Sequence, residues 1–460
     1  MSTNEKMELM PVSNVLRAIV FIGFGLMSII IGIVINPTLA GLLEGFKLEQ
    51  MGSGLLDFNT FMAVDGNIGA PFVNSGLTLI FAMLSYLVTK TPINGGPIAA
   101  AYMVYGFSFS GKTVWNVWPL FFGVMIYALV NKKKVNTMTP LGWFSGALSP
   151  FVSIATFYIR MGGKANETIG ETPAFSVLGF ILAIVIGLLL GYMVALFASF
   201  LPDKHTGLTL YNAGFAAGFT GFLLFSFMKA IGLGHASSGP YHEFEAFADG
   251  TLIAAICALL VYLLICGLLI TVREHGHIDT IVTTKYGGSA VEQFGFGATL
   301  VNMAICGFGC VLYWVLTITS TAHAPLFACL FTVVGFAANG ITIRTMAPIM
   351  AGVYCMSFVA TAIKALMIGA PVLETAMAYV GSKNMILAAM FGCGLSPVVY
   401  KHGPLVGFFT GMIHSLLVVN TGALHGWMSL YNNGFCSGIV ATFFVPMILI
   451  LLGRYQQEAK

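Results

Sequence analysis

Apolar segments of membrane-crossing length recur along the whole of this 460-residue chain. A bilayer's hydrocarbon core takes about 20 helical residues to span. Stretches near that length fall at residues 14–36, 70–90, 96–111, 113–132, 138–159, 173–201 and 205–232. They recur at 249–272, 296–319, 324–340, 342–361, 384–400, 402–422 and 425–453. Only 8% of residues are charged and 58% are hydrophobic, against about 25% charged in a soluble domain. Such a chain lacks the polar surface to cover a water-soluble fold. The implied fold class is all-α: a polytopic transmembrane helical bundle in a lipid bilayer, with no attached soluble domain. A net charge of +3, scattered along the chain, speaks against nucleic acid as a partner. Val15–Ile35 reads as a span, since no small-residue cleavage site follows it. The eight cysteines all lie beyond residue 250, without zinc-site spacing or the loop placement of disulfides. They read as packing residues, and neither a metal nor a cofactor is expected.

The segments belong to a duplication. His205-Thr-Gly-Leu-Thr-Leu-Tyr-Asn-Ala-Gly-Phe-Ala-Ala-Gly218 is echoed by His425-Gly-Trp-Met-Ser-Leu-Tyr-Asn-Asn-Gly-Phe-Cys-Ser-Gly438, at an offset of 220. Upstream, Gly106, Phe107, Gly111, Pro119 and Gly123 recur as Gly335, Phe336, Gly340, Pro348 and Gly352, at an offset of 229. Val73-Asn74 with Val301-Asn302, and Leu148-Ser-Pro150 with Leu395-Ser-Pro397, keep the same order. Self-similarity of this kind divides the chain into an N-terminal repeat, 1–240, and a C-terminal repeat, 241–460. Seven segments per half is an odd number, so the second half enters the membrane from the opposite side. With the N-terminus inside, most of the 20 Lys and Arg residues, Lys132, Lys133 and Lys134 among them, fall on the cytoplasmic side, as the positive-inside rule requires. The C-terminus is then cytoplasmic too, and the loop with Glu243, Glu245 and Asp249 lies outside. Segments 96–111, 138–159 and 384–400 are short or broken by Gly and Pro, and are candidates for re-entrant helices.

Inverted repeats are a recurrent plan of solute carriers and some channels, with the site at the midplane where matching helices are interrupted. A break frees backbone groups that lipid cannot satisfy, so it must face protein, water or ligand. Gly106, Gly111, Gly335 and Gly340 mark such breaks, with new helices expected near Thr113 and Thr342. Helix N-termini there favour anions, and Lys112 and Arg344 beside them add positive charge, unless both snorkel to headgroups. Tyr211, Asn212, Tyr431, Asn432 and Asn433 are candidates to line a pseudo-symmetric polar site, while the GxxxG glycines read as helix packing. Buried amides need partners, so Asn74, Asn116, Asn302 and Asn339 either join the site or serve as structural hydrogen bonders. His414 has no first-half counterpart; a bond to a neighbouring helix is its commoner role and a proton relay the alternative. His205 and His425 open their segments as interfacial residues, and His235, His242 and Glu243 fit no zinc signature.

Almost no carboxylate falls within a span: Glu374 sits in an ambiguous segment, and Asp57 and Asp65 precede the second span. Proton and sodium carriers often use an embedded carboxylate, so a proton-driven pump is disfavoured. The coupling ion stays open, with sodium on backbone carbonyls compatible. No phosphate loop, HExxH, GxSxG or catalytic carboxylate pair is present, which argues against an enzyme.

The Gly-Phe-x-x-x-Gly…Pro-x-x-x-Gly and Leu-Tyr-Asn-x-Gly-Phe-x-x-Gly elements resemble those of an uncharacterised bacterial membrane-protein family with a duplicated domain of unknown function. The resemblance covers nearly the whole chain and implies the bacterial inner membrane, without implying a substrate or site residues. At the level of architecture the plan is also similar to urea channels and to nucleobase and anion carriers with seven-plus-seven repeats. The expected function is a secondary transporter of a small polar solute, an organic or inorganic anion preferred. The alternatives are a passive channel for a neutral solute such as urea, with a pore through each half, and a membrane enzyme or assembly factor without transport. A homo-oligomer is compatible with this plan.

Overall fold

The computed structural model describes residues 10–55, 60–159, 173–232, 250–276, 278, 281, 287–317 and 324–454. His235, His242, Glu243, Glu245, Asp249 and Asp57, with the expected repeat boundary at 240/241, lie outside the described residues. The first half holds α1 (Asn14–Ile35), α2 (Leu39–Gln50), α3 (Thr60–Ala63), α4 (Ala70–Val88), α5 (Gly95–Phe107), α6 (Trp118–Val130), α7 (Val135–Ser145), α8 (Ser149–Phe157), α9 (Val177–Ala198), α10 (Leu201–Lys204) and α11 (Asn212–Ala230). The second holds α12 (Gly250–Glu274), α13 (Ala290–Phe294), α14 (Phe296–Thr317), α15 (Ala324–Phe336), α16 (Ile343–Ile368), α17 (Val372–Val380), α18 (Lys383–Gly392), α19 (Ser396–His402), α20 (Pro404–Thr421), α21 (Asn432–Ile439) and α22 (Val445–Leu451). The described residues contain no strand. The molecule is an all-α, multi-pass membrane bundle.

Ten helices, some continuing through short irregular turns, are long and apolar enough to cross a bilayer, where the sequence pattern suggested up to fourteen segments. The difference lies in α5, α6, α15 and the α7–α8 pair, whereas α18–α19, though also broken, counts among the ten. α5 and α15 have 13 residues each, so each runs about 20 Å and ends inside a hydrocarbon layer about 30 Å thick. α7–α8 and α18–α19 are interrupted by 3-10 turns at Gly146–Leu148 and Cys393–Leu395, each followed by a proline. The first apolar stretch is part of the fold: α1 packs on α4, and its Phe24 ring meets Tyr102, Tyr105 and Phe331.

The two halves repeat one packing plan. α1 lies on α4 as α12 lies on α14, and α6 on α9 as α16 on α20. Across the middle the equivalent helices α5 and α15 pack on each other. Gly106, near the end of α5, lies against Ala328 near the start of α15, and Gly335, near the end of α15, lies against Ala99 and Tyr102 of α5. A methyl group on Gly106 would come within 3.1 Å of the Ala328 oxygen, and one on Gly335 within 3.2 Å of the Ala99 oxygen. Equivalent helices therefore run antiparallel in reciprocal contact, which sets a pseudo-twofold axis perpendicular to them. For helices that cross a bilayer this is the inverted arrangement.

Candidate functional site

Each break is held open by an asparagine from the preceding span. Asn74 Nδ2 donates to the carbonyls of Ser108 and Lys112, both at 2.9 Å. Asn302 Nδ2 donates to those of Ala337 and Ile341, at 2.9 and 2.8 Å. These are the carbonyls freed where α5 and α15 end, which lipid would leave unsatisfied. Between them stand Gly111 and Gly340 with φ of 101° and 117°, a conformation that disfavours any side chain. The next helix is then started by a local bracket. Thr113 N–H donates to Asn116 Oδ1 at 2.8 Å, and Thr342 N–H to Thr345 Oγ1 at 2.9 Å. Asn116 also ties back to the Gly111 carbonyl and to Ser153. In the second half α16 begins beside Thr342 as expected, whereas in the first half turns intervene and α6 begins at Trp118.

The Leu-Tyr-Asn motifs are braced across the axis by the other half's Leu-Ser-Pro motif. The 3-10 turns release carbonyls, and Ala147 O accepts from Leu430 N while Gly394 O accepts from Leu210 N, both at 2.9 Å. The GxxxG glycines pack helices: Gly214 abuts Gly434 on the axis, Gly218 abuts Phe435 and Gly438 abuts Phe215. His205 and His425 are buried rather than interfacial, and each Nε2 hydrogen-bonds the motif asparagine, Asn212 and Asn432 respectively. Outside the spanning helices, burial holds the His205 imidazole below its ordinary range, opposed by the Asn212 bond. Asn432 is closed off by Thr421 and the Val418 carbonyl.

A cavity of about 320 Å³ sits on the pseudo-twofold axis. It is lined in pairs by Tyr211 and Tyr431, Phe107 and Phe336, and Phe144 and Phe391. Each tyrosine ring leans on a break phenylalanine, at 4.9 Å for Tyr431–Phe107 and 5.0 Å for Tyr211–Phe336. The first turns of α11 and α21 also line it, through Asn212, Ala213 and Gly214 and through Asn433 and Gly434. Neither helix has a side-chain cap. The opening N–H groups of a helix have no internal acceptor and carry partial positive charge, so two positive helix ends converge on one chamber. The lining reaches the surface at exposed Thr137, beside Gly96 and Pro140. At the matching places of the second half, Pro325 and Leu387 are buried, Asn384 in the place of Thr137 is exposed, and none of the three lines the cavity. The chamber is thus symmetric in its walls, while its lining extends toward the surface on the first half's side only.

Lys112 breaks the symmetry. Its side chain is fully buried, and its repeat counterpart is Ile341, also buried. Lys112 Nζ donates to the Tyr431 hydroxyl and sits 4.5 Å from the Tyr431 ring centroid and 5.4 Å from that of Phe107. Among the described residues no carboxylate pairs with it. Opposite Ile341, the Tyr211 hydroxyl lies against the Gly394 backbone and makes no hydrogen bond of normal geometry. A buried ammonium without a counter-charge is costly, and aromatic faces offset only part of that.

Of the residues singled out from sequence, the structure brings Tyr211, Asn212, Asn339, Tyr431 and Asn433 to the cavity wall, with Lys112 directly behind Tyr431. Asn74, Asn116 and Asn302 hold the breaks and Asn432 is enclosed in its own network. Arg344 stands exposed on α16, away from the cavity, and Glu374 is exposed on α17. His414 is buried and bonds Asn433 Oδ1 at 3.1 Å, so it reaches the chamber through one amide. Sequence reasoning missed Glu49, a buried carboxyl on α2 bonded to Asn74 at 3.1 Å. Its helix is too short to read as a span, which is why it drew no notice. All eight cysteines are free thiols, and no three His, Cys, Asp or Glu side chains among the described residues gather as a metal site.

Fold and chamber together define a multi-pass membrane protein of two inverted halves around a central cavity. The profile of a family of proteins of unknown function, DUF1576, matches residues 55–230 and 289–450, and the chain belongs to that family. No curated protein and no solved structure matches it.

Proposed function

We propose that this protein is a secondary transporter of small organic or inorganic anions, working in a bacterial inner membrane with both termini cytoplasmic. The observation that carries the reading is Lys112: a fully buried cation with no carboxylate partner among the described residues, behind a chamber on which two uncapped helix N-termini converge. A bound anion supplies a counter-charge that the described residues do not provide. Tyr431 links Lys112 to the chamber, and Tyr211 offers a hydroxyl from the opposite wall. The one-sided extension of the lining supports alternation. Exchanging the conformations of the two repeats closes the Thr137 side and opens the other, around a site that stays on the axis. The Lys132–Lys134 run joins α6 to α7 beside the open mouth, so under the positive-inside rule this is the inward-open form. A urea-type channel calls for a pore through each half, whereas this cavity lies between the halves, which favours the carrier.

Counterflow in proteoliposomes tests this. Anions that stabilise the detergent-purified protein against heat are first selected from a panel of chloride, acetate, lactate, succinate, phosphate and sulfate, with urea and uracil as neutral controls. A ligand at a hundredfold excess over Kd adds about 2.7 kcal/mol to stability. The carrier predicts that an unlabelled stabilising anion inside the vesicles accelerates uptake of the labelled anion. Equal rates with and without internal anion indicate a pore, and stabilisation by urea alone removes the anion reading.

A further inference from the structure

We infer that Glu49 is a proton-binding site linked to the anion chamber, so that a proton and an anion are carried together. This rests on the transport reading above and adds the coupling ion to it. The first ground is the carboxyl's setting. Glu49 is 3% exposed; its Oε1 accepts one hydrogen bond, from Asn74 Nδ2, and its Oε2 is buried without a partner. A buried carboxylate needs several donors or a cation, whereas the neutral acid needs, besides the Asn74 bond, one acceptor for its proton. Gln50 Oε1, on the same helix, is likewise a buried acceptor without a donor, while Gln50 Nε2 donates to Asn74 Oδ1. Burial accordingly pushes the Glu49 carboxyl well above its ordinary value, with the Asn74 bond opposing.

The second ground is the connection. The amide that holds Glu49 is the one that holds the break: Asn74 Nδ2 shares its two N–H bonds among Glu49 Oε1 and the Ser108 and Lys112 carbonyls, and its Oδ1 accepts from Val114 N. The chain after α2 lies on the break itself, with Gly54 packed against Gly111. One amide therefore joins the carboxyl to the peptide that carries Lys112. Among the described residues no other acid or base is buried beside Glu49. On α2, Glu44 and Lys47 are exposed and pair with each other. α3 carries no titratable side chain, Asp65 after it is exposed, and α4 has Tyr86 at its far end. Tyr158, after α8, donates to the Met51 carbonyl. Lys112 has no counterpart in the second half, where the break carries Ile341.

Charge balance then gives the coupling. With a proton on Glu49 Oε2, Lys112 is the uncompensated charge at the break, and an anion in the chamber completes it. When the proton leaves, the Glu49 carboxylate balances Lys112 internally and the chamber's hold on an anion weakens. Linkage makes this reciprocal: a bound anion tightens the proton by the same factor. Asn74 presents N–H rather than oxygen to Glu49, which suits a proton better than an oxygen-coordinated sodium ion.

Infrared titration of the full-length protein in phosphatidylcholine liposomes tests the site without a known substrate. A protonated-carboxyl C=O band is expected near neutral pH in the wild type and absent in Glu49→Gln. Should that variant fold poorly, Glu49→Asp is expected to move the band rather than erase it. In Lys112→Met the carboxylate loses its counter-charge, so the band's midpoint is expected to rise by at least about one pH unit. A wild type without the band, a band unchanged in both Glu49 variants, or a midpoint unmoved by Lys112→Met overturns the inference. So does a band that sodium chloride bleaches at fixed pH where choline chloride does not. These outcomes stand apart from the anion panel. If panel anions bind and the infrared result fails, only the coupling falls; if none binds, the transport reading falls on its own evidence.

Discussion

The two breaks are the same device built twice, and they differ where chemistry is concerned. Both have an asparagine donating to two freed carbonyls, a glycine at strongly positive φ, and a Thr-x-x-Asn or Thr-x-x-Thr bracket just after it. Into this common frame the first break adds Lys112 and, through Asn74, Glu49, while the second has Ile341. The duplicated residues satisfy the backbone; the single-copy residues carry charge. What the pair teaches is that symmetry here supplies the scaffold and its alternation, and departure from symmetry supplies selectivity.

Removing the departure has the largest expected effect. In Lys112→Met, affinity for a panel anion falls by about 2–5 kcal/mol, the range seen when one member of a buried charge pair is truncated. The same variant without anion is as stable as the wild type or more so, by up to about 4 kcal/mol, because a buried charge gives way to an apolar side chain. Calorimetric binding and thermal unfolding read the two effects separately; loss of both stability and binding would make Lys112 a structural residue.

Next come the frame residues. Asn302→Ala removes two hydrogen bonds to the break and is expected to destabilise by about 2 kcal/mol, whereas Asn74→Ala, which also releases Glu49 and Val114 N, costs about 3 kcal/mol or more. Equal losses in denaturation midpoints would mean that the extra bonds of Asn74 carry no weight. A pH scan sharpens the comparison further. Above the ordinary carboxyl range the unfolded chain gives up the Glu49 proton while the folded chain, with its raised value, retains it. Stability therefore falls as pH rises, by at most about 1.4 kcal/mol per unit, until the folded carboxyl also ionises. Glu49→Gln is expected to remove that slope; an unchanged slope assigns it elsewhere. The smallest effects are at the hinge glycines. Gly111→Ala and Gly340→Ala each force a side chain into the left-handed region at about 1–2 kcal/mol. At Gly111 a methyl would also come within 2.4 Å of the Gly54 oxygen, which adds to that cost.

Much of this plan was legible in the residues. Leu-Tyr-Asn-x-Gly-Phe-x-x-Gly and the Gly-Phe-x-x-x-Gly breaks repeat because both halves need the same close approaches, such as Gly214 on Gly434 and Gly106 on Ala328. The Leu-Ser-Pro echo was visible as a repeat, but its use was not: a 3-10 turn that lends Ala147 and Gly394 carbonyls to the opposite half depends on tertiary contact. Lys112 and Arg344 looked alike in sequence, both beside a helix start. A register difference of three residues separates a buried lysine from an exposed arginine, and only packing distinguishes them. Glu49 was invisible because a carboxylate on a short polar helix reads as surface until α4 and the break are folded over it.

The most direct test moves the charge across the axis. In the double variant Lys112→Ile with Ile341→Lys, the ammonium stands beside the unpaired hydroxyl of Tyr211 instead of that of Tyr431. Titration calorimetry against the anion that best stabilises the wild type is the measurement to make. If the chamber is pseudo-symmetric and its anion preference comes from one buried lysine, the double variant recovers at least a tenth of the wild-type affinity that Lys112→Ile alone abolishes. Undiminished binding in Lys112→Ile, or no recovery in a double variant that unfolds at the wild-type temperature, would contradict the account.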